Sequence, residues 1–311
     1  MTHSGTLIEI AEKIWKSDAP IPGRTLVISG GIHGNERTGI EVVLRIQQAL
    51  ESGALIHTFG TLFLLLGNLK AIEKNERWSD SAIDLNRCFG VMPESIRDSF
   101  EAQRAETIKN ALALHARRPN SVIGIDIHAT NKPSKPFLVL QPRPSPLLTG
   151  LFPYITGAHA LLYDPDWIFT GAPATFDDYF NSNNHAGFCY ETGCADDLSR
   201  VNEVFNEIVS LAQSMGTLKW SGETIALQTK GVCNLPAFAL RQAIILTEQG
   251  FSYAPSMGLS TFQEFSKGDC LGYHGSIPFI ADFKGVFIFP KLPKHWKFGE
   301  PVGFLAEKIE E

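Results

Sequence analysis

Three short segments of this chain concentrate the side chains that bind metals and move protons. They are Gly30-Gly31-Ile32-His33-Gly34-Asn35-Glu36, Asp126-Ile127-His128-Ala129-Thr130 and Tyr190-Glu191-Thr192-Gly193. His33 and Glu36 stand three residues apart at a predicted strand-to-helix turn. Imidazole and carboxylate both ligate zinc, and this separation lets two residues of one turn close on one ion. His128, from a distant strand, would complete a set of two histidines and one carboxylate. Such a set leaves the fourth position for water, as a catalytic zinc site requires. Asp126 lies two residues before His128, so on a strand it would share the histidine's face and could orient the imidazole. Glycines on both sides of His33 permit close backbone approach.

Glu191 is isolated in Phe188-Cys189-Tyr190-Glu191-Thr192-Gly193. A carboxylate beside a buried strand is costly unless it is paired or functional. Its functional reading is the general base that takes a proton from zinc-bound water and returns it to a leaving group. A strand-end ion pair is the plainer alternative. A fourth motif, Asp84-Leu85-Asn86-Arg87, offers amide and guanidinium donors at Asn86 and Arg87, suited to gripping a carboxylate. Arg77, ten residues before Arg87, puts a second cation in the same loop. Plain alternatives exist here too: Glu36 paired with Arg37 or Arg45 on an exposed helix face, and the arginines as scattered surface charge. The combination of H-x-x-E, D-x-H and a lone glutamate at three strand ends is much harder to obtain from structural needs. A phosphate loop at Gly30–Gly39 fails because the G-K-[ST] ending is missing. A thiol nucleophile at Cys189 or Cys194 with His185 has no orienting partner.

The elements around these motifs alternate between strand and helix. Thr25–Ser29, Thr61–Leu66, Ser121–Ile127, Phe137–Leu140 and Gly187–Tyr190 read as short strands, several of them continuous apolar runs buried on both faces. Gly39–Leu50 and Ser95–His115 have helical spacing. A third helix runs through Leu198, Val201, Val204, Phe205, Ile208 and Val209, with Asp196 or Asp197 placed to cap it. After about Met215 the helical pattern stops. Thr224–Leu227, Phe238–Glu248, Gly285–Phe289 and Val302–Ala306 are β-prone runs separated by Gly, Pro and Ser, the pattern of a small all-β domain. The expected division is residues 1–212 for an α/β catalytic domain and 213–311 for the β-rich part. In α/β sheets ligands gather at the carboxyl ends of strands, so the motifs can converge.

Composition narrows the partners. The 311 residues carry 33 acidic and 27 basic side chains, a net charge of −6, without a basic block. That excludes sequence-independent nucleic-acid or anionic-membrane binding as a leading function. The longest apolar run, Leu62–Gly67, is far short of the ~20 residues of a membrane span. Met1–Glu12 has no cationic segment of the kind that opens a secretory signal. The cysteines, Cys88, Cys189, Cys194, Cys233 and Cys270, are odd in number and form no C-x-x-C pair. Reduced thiols in a cytoplasmic protein are the expectation.

The motifs together resemble the succinylglutamate desuccinylase/aspartoacylase family, a branch of the zinc-carboxypeptidase-like hydrolases. G-G-x-H-G-N-E-x-T-G matches Gly30–Gly39, D-L-N-R matches Asp84–Arg87, and D-[IL]-H matches Asp126–His128. The strand-end glutamate matches Glu191, all in family order across nearly the whole chain. The resemblance implies a three-layer α/β/α domain with a mixed sheet, followed by a small all-β domain. It implies one zinc ion per chain on His33, Glu36 and His128, with Glu191 as general base and proton shuttle. Arg77 would polarise the scissile carbonyl, and Asn86 and Arg87 would hold a substrate carboxylate. The implied reaction is hydrolysis of a small N-acyl amino acid, with a homo-oligomer left open.

One departure concerns the substrate. Aspartoacylases carry an arginine roughly ten residues before the catalytic glutamate, whereas residues 177–185 here contain none. Asp177 and Asp178 stand there instead and would repel an anionic side chain. Lys132, just beyond His128, could replace the missing cation, and a solvated surface lysine is the plainer reading. The alternative activity is a metallocarboxypeptidase acting on peptide-like substrates, which uses the same zinc set. The β-rich C-terminal part separates the two, since in the acylases it narrows access to the site.

Overall fold

The computed structural model describes residues 5–81, 83–141, 146–224 and 234–309. The described chain begins with β1 (Ile8–Ala11), β2 (Ile14–Asp18) and β3 (Ile21–Gly30). α1 (Arg37–Glu51), β4 (Leu55–His57), β5 (Phe59–Leu66) and α2 (Leu69–Lys74) follow. Next come α3 (Phe100–Leu112), β6 (Val122–Thr130), β7 (Phe137–Leu140), α4 (Pro146–Thr149) and β8 (Leu161–Tyr163). α5 (Phe176–Ser182), β9 (Ala186–Cys194), α6 (Val201–Ser214) and β10 (Leu218–Trp220) complete the part with helices. The remainder is β11 (Ala237–Ile245), β12 (Ser252–Tyr253), β13 (Glu264–Phe265), β14 (Cys270–His274), β15 (Ile277–Ile280), β16 (Gly285–Ile288) and β17 (Pro301–Lys308).

Among the described residues twelve strands form one mixed sheet in the order β1-β2-β5-β3-β6-β9-β7-β8-β11-β17-β16-β13. Its centre is parallel, β5 with β3, β3 with β6 and β6 with β9. Strand side chains alternate between two helical layers, as a period of two requires. Leu26, Ile28, Leu62, Leu64, Ile123 and Ile125 pack with Ile40, Val43, Val204 and Ile208 of α1 and α6. Val27, Phe63, Leu65 and Val122 pack with Ala105, Ile108, Phe176 and Phe180 of α3 and α5. The expected three-layer arrangement is therefore present, and a small all-β region exists as the separate sheet β12-β14-β15. The other late strands continue the main sheet, because β11 pairs in parallel with β8. No helix among the described residues is long and apolar enough to cross a membrane.

Two local expectations need correction. The helix read over 95–115 is confined to α3. Ser99 caps it by accepting the Ala102 N–H at 3.1 Å, and Ala113 stops it in the left-handed region at φ 46°. Neither Asp196 nor Asp197 caps α6, whose N-cap position is Arg200 without a side-chain bond. Asp197 instead accepts the Ser199 N–H at 2.9 Å in the turn before the helix. The β-prone run at 224–227 lies, after Thr224, outside the described residues, as does Cys233.

A buried histidine ties the small sheet β10-β4 to the main one. His57 of β4 is 1% exposed, and its Nδ1 lies 2.8 Å from Ser17 Oγ on β2. Burial holds its pKa down to about 4, so the folded state favours neutral imidazole and the unfolded chain binds the proton first. Stability should be fully present above about pH 6.5 and fall by about 3 kcal/mol as pH drops toward 4. Urea melts between pH 7 and 4 check this: H57Q should flatten that part of the profile, and an unchanged slope would contradict it.

Candidate metal centre and active-site cleft

The three motifs meet at the carboxyl ends of β3, β6 and β9, around the carboxylate of Glu36. Its Oε1 lies 2.8 Å from His33 Nδ1 and accepts from Arg77 Nη1 at 3.0 Å. Its Oε2 lies 2.8 Å from His128 Nδ1 and accepts the Ala129 N–H at 3.0 Å. Glu36 is the N-cap residue of α1 but makes no capping bond, because both oxygens are used in the site. The far nitrogens of the two imidazoles are also held. His33 Nε2 lies 3.0 Å from Asp84 Oδ1, and His128 Nε2 lies 2.6 Å from Asp126 Oδ2. All three residues are buried, and one ligand atom from each can be chosen with all three within 4.8 Å of one another.

The donor set fits a metal ion. With Nε2 donating to Asp84 and Asp126, each ring turns Nδ1 toward Glu36, where a cation can replace the bridging protons. Burial opposes charge on these groups, yet their mutual attraction wins. His128 is held well above the usual histidine range by Asp126 and Glu36, and Glu36 is held below the carboxylate range by His33 and His128. Burial likewise works to raise Asp84, but His33, Arg87 and Arg77 outweigh it and leave it well below the usual range. Three carboxylates around two imidazoles supply a surplus of negative charge, which a divalent ion would balance.

The local sequence explains how the backbone permits this. A Cβ on Gly34 would sit 2.0 Å from the carbonyl carbon of Ala71 in α2. A Cβ on Gly30 would sit 2.3 Å from the backbone of Gly39, which brings the end of β3 against the start of α1. Ser29 Oγ donates to Asp126 Oδ1 at 2.5 Å, fixing the carboxylate behind His128. The parallel register of β6 and β9 makes His128 and Glu191 direct neighbours.

Glu191 is 8% exposed, and its Oε2 has no hydrogen-bond partner. Burial, ahead of the charges around it, pushes its carboxyl up to about 8; Glu36 and Asp126 add to this, while His128 and Arg77 pull against it. It lines a cleft of about 630 Å³ together with His33, Glu36, His128, Arg77, Asn86 and Arg87. Every site residue expected from the sequence therefore borders one cavity. Asn86 Oδ1 accepts the Phe176 N–H at 2.9 Å, which leaves the amide NH₂ as its group for a ligand. Arg87 Nη1 donates to Asn86 O at 2.9 Å. The opposite wall comes from the C-terminal strands and loops, with Phe289, Lys291, Leu292, His295, Lys297 and Phe304.

The model of the succinylglutamate desuccinylase/aspartoacylase catalytic domain matches residues 22–204. The chain belongs to this family. A succinylglutamate desuccinylase of Pseudoalteromonas atlantica is 27% identical over 301 residues, covering 91% of this chain and 80% of the relative. A probable aspartoacylase of a Nostoc species is 33% identical over 174 residues, 54% of each chain. The solved succinylglutamate desuccinylase of Chromobacterium violaceum shares the fold with a TM-score of 0.75 at 18% identity, covering 100% of this chain and 95% of its own.

Within this member of the succinylglutamate desuccinylase/aspartoacylase family, several plainer alternatives are corrected. Glu36 pairs with neither Arg37, which contacts Glu41, nor Arg45, which donates to Asn202. Lys132 is not a solvated lysine: it lines the cleft and its Nζ donates to Gly258 O at 2.6 Å. His185 Nε2 faces Leu114 O at 3.1 Å, at the opposite end of β9 from Glu191. Burial pushes the Cys189 thiol well above its usual range, so a thiolate pair with His185 does not form.

The sequence reading of the family motifs missed Asp84 as the carboxylate behind His33. Its signal was the conspicuous Asp at the head of Asp84-Leu85-Asn86-Arg87, whose partner became visible only through a contact 51 positions away. If Asp84 orients His33 toward a metal, D84N should weaken zinc binding by about 10–100-fold. Competition with a chelating dye checks this, and unchanged affinity would remove Asp84 from that role.

Proposed function

We propose that this protein hydrolyses the amide bond of small N-acyl amino acids, with one zinc ion held by His33, Glu36 and His128. The observation that carries the reading is Glu191. It is a buried carboxyl whose Oε2 has no hydrogen-bond partner, and it borders the same cleft as a group of three side chains able to ligate a metal. Zinc bound there supplies acidified water, with a pKa brought toward ~7, and polarises an amide carbonyl.

The protein's own groups then divide the work. Glu191 takes the proton from the attacking water and delivers it to the departing nitrogen, a task that needs a carboxylate oxygen not already engaged by the protein. Arg77 places guanidinium protons where negative charge develops on the carbonyl oxygen. Arg87 and the Asn86 NH₂ hold the substrate's α-carboxylate. The relatives are named for removing acyl groups from amino acids, which supports the same class of reaction.

The cleft's dimensions favour a small substrate over a peptide. Residues 213–311, taken as a second domain, contribute a wall across the site, from Phe289 to Phe304, that narrows it to about 630 Å³. A metallocarboxypeptidase needs room for the chain on the acyl side. The free cysteines among the described residues, Cys88, Cys189, Cys194 and Cys270, fit a reducing compartment, and we place the protein in the cytoplasm.

Zinc-loaded protein should release free amino acid from N-acetyl, N-succinyl or N-formyl amino acids and leave a short peptide intact. E191Q should retain its zinc while kcat falls by about 10²–10⁴; near-normal turnover would remove Glu191 from the mechanism. R87A should raise KM chiefly for substrates with a free α-carboxylate, so an equal loss on the amidated analogue would contradict that role.

A further inference from the structure

We infer that Asp177 selects substrates whose amino-acid side chain ends in an amine, which makes the preferred class the Nα-acyl diamino acids. This deepens the deacylase reading and takes from it the position of the α-carboxylate.

α5 begins with two aspartates that have different fates. Asp178 is consumed by the helix start, its Oδ2 accepting the Ala174 and Thr175 N–H groups at 3.0 Å each. It completes a capping box with Thr175. Asp177 is left over. Its Oδ1 accepts the Thr175 hydroxyl at 2.6 Å, and its Oδ2 is buried without a hydrogen-bond partner. The residue is 2% exposed yet lines the cleft, with Thr175, Gln141, Cys189 and Asn86. A carboxylate oxygen in that position is expensive unless a ligand satisfies it.

The anchor for the substrate lies immediately beside it. Asn86 accepts the N–H of Phe176, the residue before Asp177, so the carboxylate-binding segment rests on the first turn of α5. An amino acid held by Asn86 and Arg87 therefore has Asp177 next to its anchor. A side-chain carboxylate directed there would meet Asp177 and Asp178, with no salt bridge among the described residues neutralising either. An ammonium group supplies the missing donor and an opposite charge. Burial and the neighbouring Asp178 raise Asp177 to about 8, and a cation beside it would favour the ionised form. A protonated Asp177 would instead donate to an acceptor on the substrate, and the experiment separates these cases.

The test measures calorimetric binding of free ornithine, lysine, norleucine and glutamate to the zinc-loaded protein. In parallel it measures kcat/KM for their Nα-acetyl derivatives. Ornithine or lysine should bind about 10–100-fold more tightly than norleucine, as expected for a charge-assisted bond to a buried carboxylate, and glutamate should be weakest. D177N, which keeps the shape and the Thr175 contact, should shrink that ratio to a few-fold; D177S serves if D177N does not fold. Tighter binding of norleucine or glutamate in the native protein overturns the inference, as does a ratio that survives both substitutions. An amine preference in binding without cleavage of any acetyl derivative would uphold the pocket and overturn the deacylase reading.

Discussion

The buried carboxylate of Glu36 is the contact on which the rest of the site is built. One oxygen joins the turn after β3 to the Arg77 loop, and the other joins it to the end of β6. Two N–H donors and two imidazole nitrogens converge on a group that would otherwise be costly to bury. Because Glu36 also starts α1, the helix axis, the H-x-x-E turn and the central strands share one reference point. The two imidazoles are then fixed from both sides, by Glu36 at Nδ1 and by Asp84 and Asp126 at Nε2. Preorganisation of this kind leaves little rearrangement for a metal ion to impose.

Much of this was legible in the sequence because it depends on local periodicity. His33 and Glu36 share one turn, Asp126 and His128 share one strand face, and continuous apolar runs mark strands covered on both sides. What was not legible depends on contacts between distant segments. Asp84 finds His33 across 51 positions, and Lys132 finds Gly258 across 126. The helix ends were misplaced for a related reason. Ser99 and Asp197 are equally good turn formers in isolation, and only the packed chain decides which one caps a helix. The aspartates of α5 stood out in the sequence as a departure from the family pattern, but their unequal use by the helix start depends on the packed turn.

The charge of the chain hides the charge of the cleft. A net −6 describes the whole surface, while the cleft collects Arg77, Arg87, Lys132, Lys291 and Lys297 around a small acidic floor. Lys291 is pulled down first by burial and then by the nearby arginines, while Glu300 and Asp84 oppose the shift. The cavity therefore holds charges of both signs at close quarters, which the net charge of the chain does not reveal.

The parallel pairing of β8 with β11 has a mechanical consequence. Phe304, which borders the cleft, stands on β17, and β17 is joined through β11 and β8 to the sheet whose strands β3, β6 and β9 end at the site. Strand β17 cannot swing away as a body without breaking the ladder that reaches it from β8 through β11.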